Sequence, residues 1–120
     1  FSQEIKMDGA IIVSTPQEVA LLDVKRGIKM FDKLGVKILG LVDNMSFFIG
    51  DDGKKYKIFG EGGVKKTAEE FKKEFLGEIP ISPKVGKYGD EGIPIVEKNP
   101  DHEISKIYLG FAKKIKSTYL

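Results

Sequence analysis

A chain of 120 residues is one domain or a piece of one, and its hydrophobic fraction of 41% excludes a disordered polypeptide. The absence of cysteine excludes disulfides and thiolate metal sites, and 20 basic against 18 acidic side chains give no support to a nucleic-acid partner. No apolar run approaches the roughly 20 residues of a membrane span, and the opening Phe1-Ser2-Gln3-Glu4 has no signal-peptide character, so a cytoplasmic protein without a membrane partner is expected.

The elements alternate along the chain. Gly9 to Thr15 is a short continuous apolar run of the kind found in strands covered on both faces. Thr15-Pro16-Gln17-Glu18 has the form of a capping box, with proline suited to the first helical position. The helix it predicts runs to about Lys33, with Leu21, Val24, Ile28 and Phe31 at helical spacing and Leu34-Gly35 as its stop. Lys37 to Ser46, K-I-L-G-L-V-D-N-M-S, reads as a buried strand that delivers Asn44 to its carboxyl end. Ligands of open parallel sheets sit just beyond those ends, which makes Asn44 the first candidate site residue.

Phe47 to Phe59 then looks like a small hairpin around the glycine-bounded turn Gly50-Asp51-Asp52-Gly53. A helix follows from about Gly63 to Lys73, with Val64, Ala68 and Phe71 as its apolar stripe. Phe75 to Ile79 is a short strand ended by Pro80, and Ser82-Pro83 can start a short helix toward Tyr88. Asn99-Pro100-Asp101-His102 opens the last helix. There Ile104, Ile107, Tyr108, Phe111 and Ile115 recur as one docking stripe. The only histidine, His102, has no second imidazole with which to share a metal and is expected on the solvated side of that helix.

This order argues for a three-layer α/β domain with right-handed crossovers. Three core strands are few for a sheet covered on both faces, and the chain opens without a strand before its first crossover. A partial domain is the expectation.

Four ordered motifs carry a resemblance: G-A-I-I-V-S-T-P-Q-E-V-A-L-L-D-V at Gly9 to Val24, G-L-V-D-N-M-S at Gly40 to Ser46, I-F-G-E-G-G at Ile58 to Gly63, and F-L-G-E-I-P-I at Phe75 to Ile81. They resemble the Mrp/ApbC family of P-loop ATPases, relatives of the ParA, MinD and nitrogenase iron-protein group that serve as iron–sulfur cluster carriers. The likeness spans nearly the whole chain and covers only the carboxyl-terminal half of such a protein.

The resemblance implies that residues 1–120 are the carboxyl-terminal part of one P-loop NTPase domain, with a parallel sheet, flanking helices and a small hairpin insertion at about 47–59. It implies that the full-length protein binds ATP and magnesium, forms a homodimer and serves client apoproteins. Asn44 resembles the base-reading asparagine of related ATPases, and a side-chain amide has the donor and acceptor that an adenine edge requires. Ile79, Pro80, Ile81 and Ser82 would wall the adenine pocket. The alternative for Asn44 is a turn residue bonding its own backbone, and for Pro80 a simple strand terminator.

Two departures qualify the likeness. The glycine-rich phosphate loop, its lysine and the aspartates that handle magnesium and water do not occur in these residues, so the 120 residues alone are not expected to hydrolyse ATP, and no catalytic residue is assigned. Many family members also carry a C-P-x-C pair after the strand that ends in N-M-S. Here that stretch is Phe47 to Gly53, whose aspartates are poor substitutes for thiolates, which counts against an iron–sulfur cluster at this segment. Asp51 and Asp52 read as solvated turn residues, and no metal ligand is assigned.

Gly60 to Thr67 approaches the phosphate-loop pattern, with Lys65 where its second glycine belongs. A glycine-rich helix start packed closely on the sheet is the reading favoured. Two functional classes remain on sequence alone: the adenine-binding part of a cluster-carrying ATPase, or an α/β interaction or regulatory module without the chemistry. A ParA/MinD-like partitioning ATPase without cluster binding is a variant of the first.

Overall fold

A computed structural model describes residues 9–119. The expectation that the chain opens without a strand falls on residues 1–8, outside the described residues. In order, the elements are β1 (Ala10–Ser14), α1 (Glu18–Leu34), β2 (Ile38–Asn44), β3 (Phe48–Ile49), β4 (Lys55–Tyr56), α2 (Gly63–Glu70), β5 (Phe75–Ile79), α3 (Pro83–Asp90), α4 (Ile95–Lys98) and α5 (Glu103–Tyr119).

The apolar run of β2 is continuous because this strand is central. It pairs in parallel with β1 on one side and β5 on the other, so both of its faces are covered. On one face Leu41 packs with Val24 and Ile28 of α1 and Val64 and Ala68 of α2. On the other, Val42 packs with Leu76, Ile79, Ile95 of α4 and Ile104 of α5. The expected three-layer α/β arrangement is therefore present, and β3 and β4 form the separate antiparallel hairpin.

The stop at Gly35 is as expected. This residue is left-handed at φ 73°, and the amides of Gly35 and Val36 return to the carbonyls of Asp32 and Phe31. The start differs. Gln17 stays extended and occupies the cap position, with no side-chain cap, while the Thr15 hydroxyl donates to Gln17 Oε1 at 3.1 Å. With the helix beginning at Glu18, Thr15 stands too far upstream for the reciprocal bonds of a capping box.

His102 also departs from expectation. It precedes α5, is half-buried, and its Nδ1 accepts from the Ile104 amide at 3.1 Å, satisfying one of the helix's free first-turn donors. Of the α5 stripe, Ile104 is fully packed, whereas Tyr108 lies at the stripe's edge and is exposed. The short α4 was not expected. It is held by Ser105, fully buried, whose hydroxyl is 2.7 Å from the Asn99 carbonyl and 3.1 Å from that of Ile95.

Candidate functional site at the carboxyl end of the sheet

The strands β1, β2 and β5 are parallel and end together, so their last residues share one rim. Asn44 stands opposite Ile79 in the final register of β2 and β5. Two backbone bonds tie the segments just beyond these two strands: the Ser46 amide donates to the Ile79 carbonyl at 3.0 Å, and the Ile81 amide donates to the Phe47 carbonyl at 2.8 Å. The five expected site residues thus meet at one end of the sheet.

They do not all line one cavity. Asn44 and Ile79 border a cleft of about 330 Å³ together with Ile11, Val13, Val42 and residues of α5. Pro80, Ile81 and Ser82 lie outside its lining. Pro80 is buried beside the rim, and Ser82 sits at the start of α3 without a side-chain cap bond.

Asn44 Oδ1 accepts from the Met45 amide at 3.0 Å, and Met45 is left-handed at φ 54°. The side chain therefore does bond its own backbone, as the turn reading requires. An amide oxygen has two lone pairs and its nitrogen two hydrogens, so this one bond leaves a donor and an acceptor position for a ligand edge.

The opposite face of the rim holds a polar row that sequence reading passed over. Ser14, Asp43 and Glu78 stand side by side in register across β1, β2 and β5. Asp43 is 2% exposed, and its Oδ1 has no hydrogen-bond partner. Ser46, equally buried, donates from Oγ to Glu78 Oε2 at 2.6 Å, and Lys57 Nζ lies 3.8 Å from the same oxygen. Burial, reinforced by the Glu78 carboxylate, pushes the Asp43 carboxyl up from its ordinary 3.8 to about 6, while Ser46 and Lys57 pull it down. A carboxylate inside the run G-L-V-D was the sequence signal available. In a strand buried on both faces, such a residue must be desolvated.

The hairpin beyond the rim has no thiolate. Asp52 accepts from the Tyr56 hydroxyl and from the Lys54 amide, and these two donors hold its exposed carboxyl below the usual range. This is a turn residue at work, as expected. With no cysteine in the sequence, these residues supply no thiolate to an iron–sulfur cluster.

Gly60 to Thr67 is the close-packed helix start. A Cβ at Gly63 would meet Leu21 Cδ1 at 2.5 Å, and one at Gly60 the Pro16 carbonyl at 3.0 Å. The Thr67 hydroxyl is buried and returns to the Gly63 carbonyl at 2.8 Å, while Lys66 is exposed. The close approach is thus to Pro16 and to Leu21 of α1 rather than, as expected, to the sheet.

The family model described as a NUBPL iron-transfer P-loop NTPase, of ParA type, matches residues 1–116. The chain belongs to this P-loop NTPase family. The iron–sulfur cluster carrier protein of Aquifex aeolicus is 43% identical over 113 residues, which are 93% of this chain and 31% of that protein. The chain thus spans about a third of that curated relative. A nucleotide-binding protein from Archaeoglobus fulgidus, solved in complex with ADP, is 39% identical with a TM-score of 0.66 over 76% of this chain and 38% of its own. The cell-division ATPase MinD of Pyrococcus furiosus superposes with a TM-score of 0.72 over 92% of this chain and 43% of its own; at 24% identity this likeness concerns the fold alone.

Proposed function

We propose that these residues supply the base-reading part of the nucleotide site of an ATP-hydrolysing iron–sulfur cluster carrier, the phosphate-handling part lying on other residues of the full-length protein. The observation that carries this is the placement of Asn44: at the carboxyl end of the central strand, opposite Ile79, with a donor and an acceptor position toward an otherwise apolar cleft. The ADP complex of the Archaeoglobus relative and the cluster-carrier name of the Aquifex relative support the same assignment.

The sheet also supports a further layer. Ile11 and Val13 of β1 are 42% and 56% exposed on the cleft face, an apolar surface suited to cover by more of the same domain. ATP and magnesium are the ligands of the complete site in this reading, Pro80 to Ser82 form the loop beneath the base, and the full-length protein works as a homodimer that delivers its cargo to apoproteins. Phe48, Ile49 and Tyr56 on the exposed hairpin are the apolar residues available to such a dimer contact.

One observation favours a second reading, a ParA/MinD-like ATPase that carries no cluster: the hairpin is free of sulfur. The residues that precede Phe1 in the full-length protein separate both readings from a non-catalytic module. A K-G-G-V-G-K-T-like loop and a D-x-P-P-G-T-G-D-like segment are expected there, and the absence of both removes the ATPase.

A further inference from the structure

One large residue of the α5 stripe is left largely uncovered. Ile104 is fully buried, and Phe111 and Ile115 pack onto the cluster of Val42, Leu76 and Ile79, but Tyr108 between them is 40% exposed. Its place along the sheet explains what the ring is near. The helix α5 runs down the sheet against the strands. Ile104 packs with Ile79 at the carboxyl end, and an added Cβ at Gly77 would meet Phe111. Further along, Lys114 pairs with Glu74 just before β5, and the Tyr119 hydroxyl donates to the Leu39 carbonyl near the start of β2 at 3.3 Å. Tyr108 therefore belongs to the carboxyl end, the end that carries Asn44.

Tyr108 and Asn44 line the same cleft, whose volume of about 330 Å³ lies at the small end of the range for small-molecule sites. Among the described residues no charged side chain lines it, so it suits a base and not the phosphates. A planar heterocycle has an edge and two faces. The Asn44 amide matches the edge, and an exposed aromatic ring in the same cleft is the group that covers a face. We propose that Tyr108 is a second base-contacting residue, whose ring stacks on the base that Asn44 reads at its edge. Stacking accepts any nucleobase because every base has a π-face, whereas the amide discriminates among bases.

The surroundings of the ring fit this assignment. Tyr108 also borders a second apolar cleft of about 340 Å³, formed by Val85 and Gly89 of α3 and by Ile93 to Val96. A ring between two clefts has room to turn onto a ligand in one of them. The other aromatic residue of the Asn44 cleft, Phe111, is half-buried and packed on the sheet beside Gly77, so it is not free to do so. The exposed apolar side chains of β1 in this cleft, Ile11 and Val13, remain for the further layer of the domain.

The proposal rests on Asn44 as the base-reading residue, and titrations of the full-length protein with ATP, GTP and inorganic tripolyphosphate separate the two claims. Tyr108→Leu keeps an apolar side chain and removes the π-face. It is expected to raise the dissociation constants of ATP and GTP by the same factor, about five- to 150-fold, and to leave that of tripolyphosphate unchanged. Tyr108→Phe and Tyr108→Trp are expected to bind as the wild type does. Asn44→Ala, in contrast, is expected to change the ratio of ATP to GTP affinity. A Tyr108→Leu variant that binds ATP as tightly as the wild type, while Asn44→Ala binds it more weakly, overturns the stack and leaves Tyr108 as a packing residue. Equal weakening of tripolyphosphate in Tyr108→Leu overturns it too, since a base contact cannot be the cause. Unchanged ATP binding in Asn44→Ala removes the base-reading site itself. Tyr108→Trp supplies a readout that does not depend on how well Tyr108→Leu folds: its added fluorescence is expected to be quenched by ATP and not by tripolyphosphate. Fluorescence that ATP leaves unchanged overturns the stack.

Discussion

Ser46 and Glu78, 32 positions apart in sequence, are joined by a 2.6 Å hydrogen bond that closes the carboxyl end of β2 onto β5. The donor is buried and the acceptor is a carboxylate, so the bond belongs to the stronger, charge-assisted class. Ser46→Ala is expected to lower the unfolding free energy by about 1.5–3 kcal/mol, read as a shift in urea midpoint at unchanged slope.

Asp43→Asn tests the buried carboxyl through stability. The folded chain holds the Asp43 proton more tightly than the unfolded chain, because the folded value is about 6 against an ordinary 3.8. Between these values the unfolded state releases its proton first, so this group makes stability fall as pH rises from about 4 to about 6 and level off above. Urea midpoints measured across that window are expected to lose this falling component in Asp43→Asn. The variant is also expected to exceed the wild type in stability at neutral pH. An identical pH profile in both proteins contradicts the assignment.

Gly77 tests how β5 meets the last helix. Its φ is 148°, and an added Cβ would stand 2.9 Å from Phe111 Cε1 of α5. Gly77→Ala is expected to destabilise the protein by about 1–3 kcal/mol, combining backbone strain with overpacking. Thermal and urea unfolding check it, and a neutral substitution would mean that Phe111 and the strand both yield freely.

The hairpin turn is expected to take no part in holding iron. Asp51→Asn with Asp52→Asn should leave the iron and sulfide content of the anaerobically reconstituted full-length protein unchanged, since Asp52 is engaged by Tyr56 and Lys54. Loss of iron in the double variant would assign these carboxylates a ligand role.

Much of the fold was legible because buried parallel strands write themselves as continuous apolar runs: β2 and β5 lie where the sequence placed them, and the α1 and α2 stripes face the core. Local signals read without their backbone context were less secure. The Thr15 capping box failed because Gln17 stays extended, and His102 left the solvated face because Nδ1 found the Ile104 amide. At the rim, the end of the apolar run pointed to Asn44, and the resemblance to the ATPase family pointed to the Ile79–Ser82 loop. The polar row of Asp43, Ser46 and Glu78 was hidden because it exists only through the register of separate strands, which no local pattern encodes.

Asn44 remains the decisive residue. Isothermal titration of ATP into the full-length protein and its Asn44→Ala variant measures its role directly, with the urea midpoint as a check that the fold is kept. Losing a paired donor and acceptor to a base edge is worth about 1–3 kcal/mol, so the dissociation constant is expected to rise by about five- to 150-fold at an unchanged midpoint. An unchanged dissociation constant would remove Asn44 from the nucleotide site.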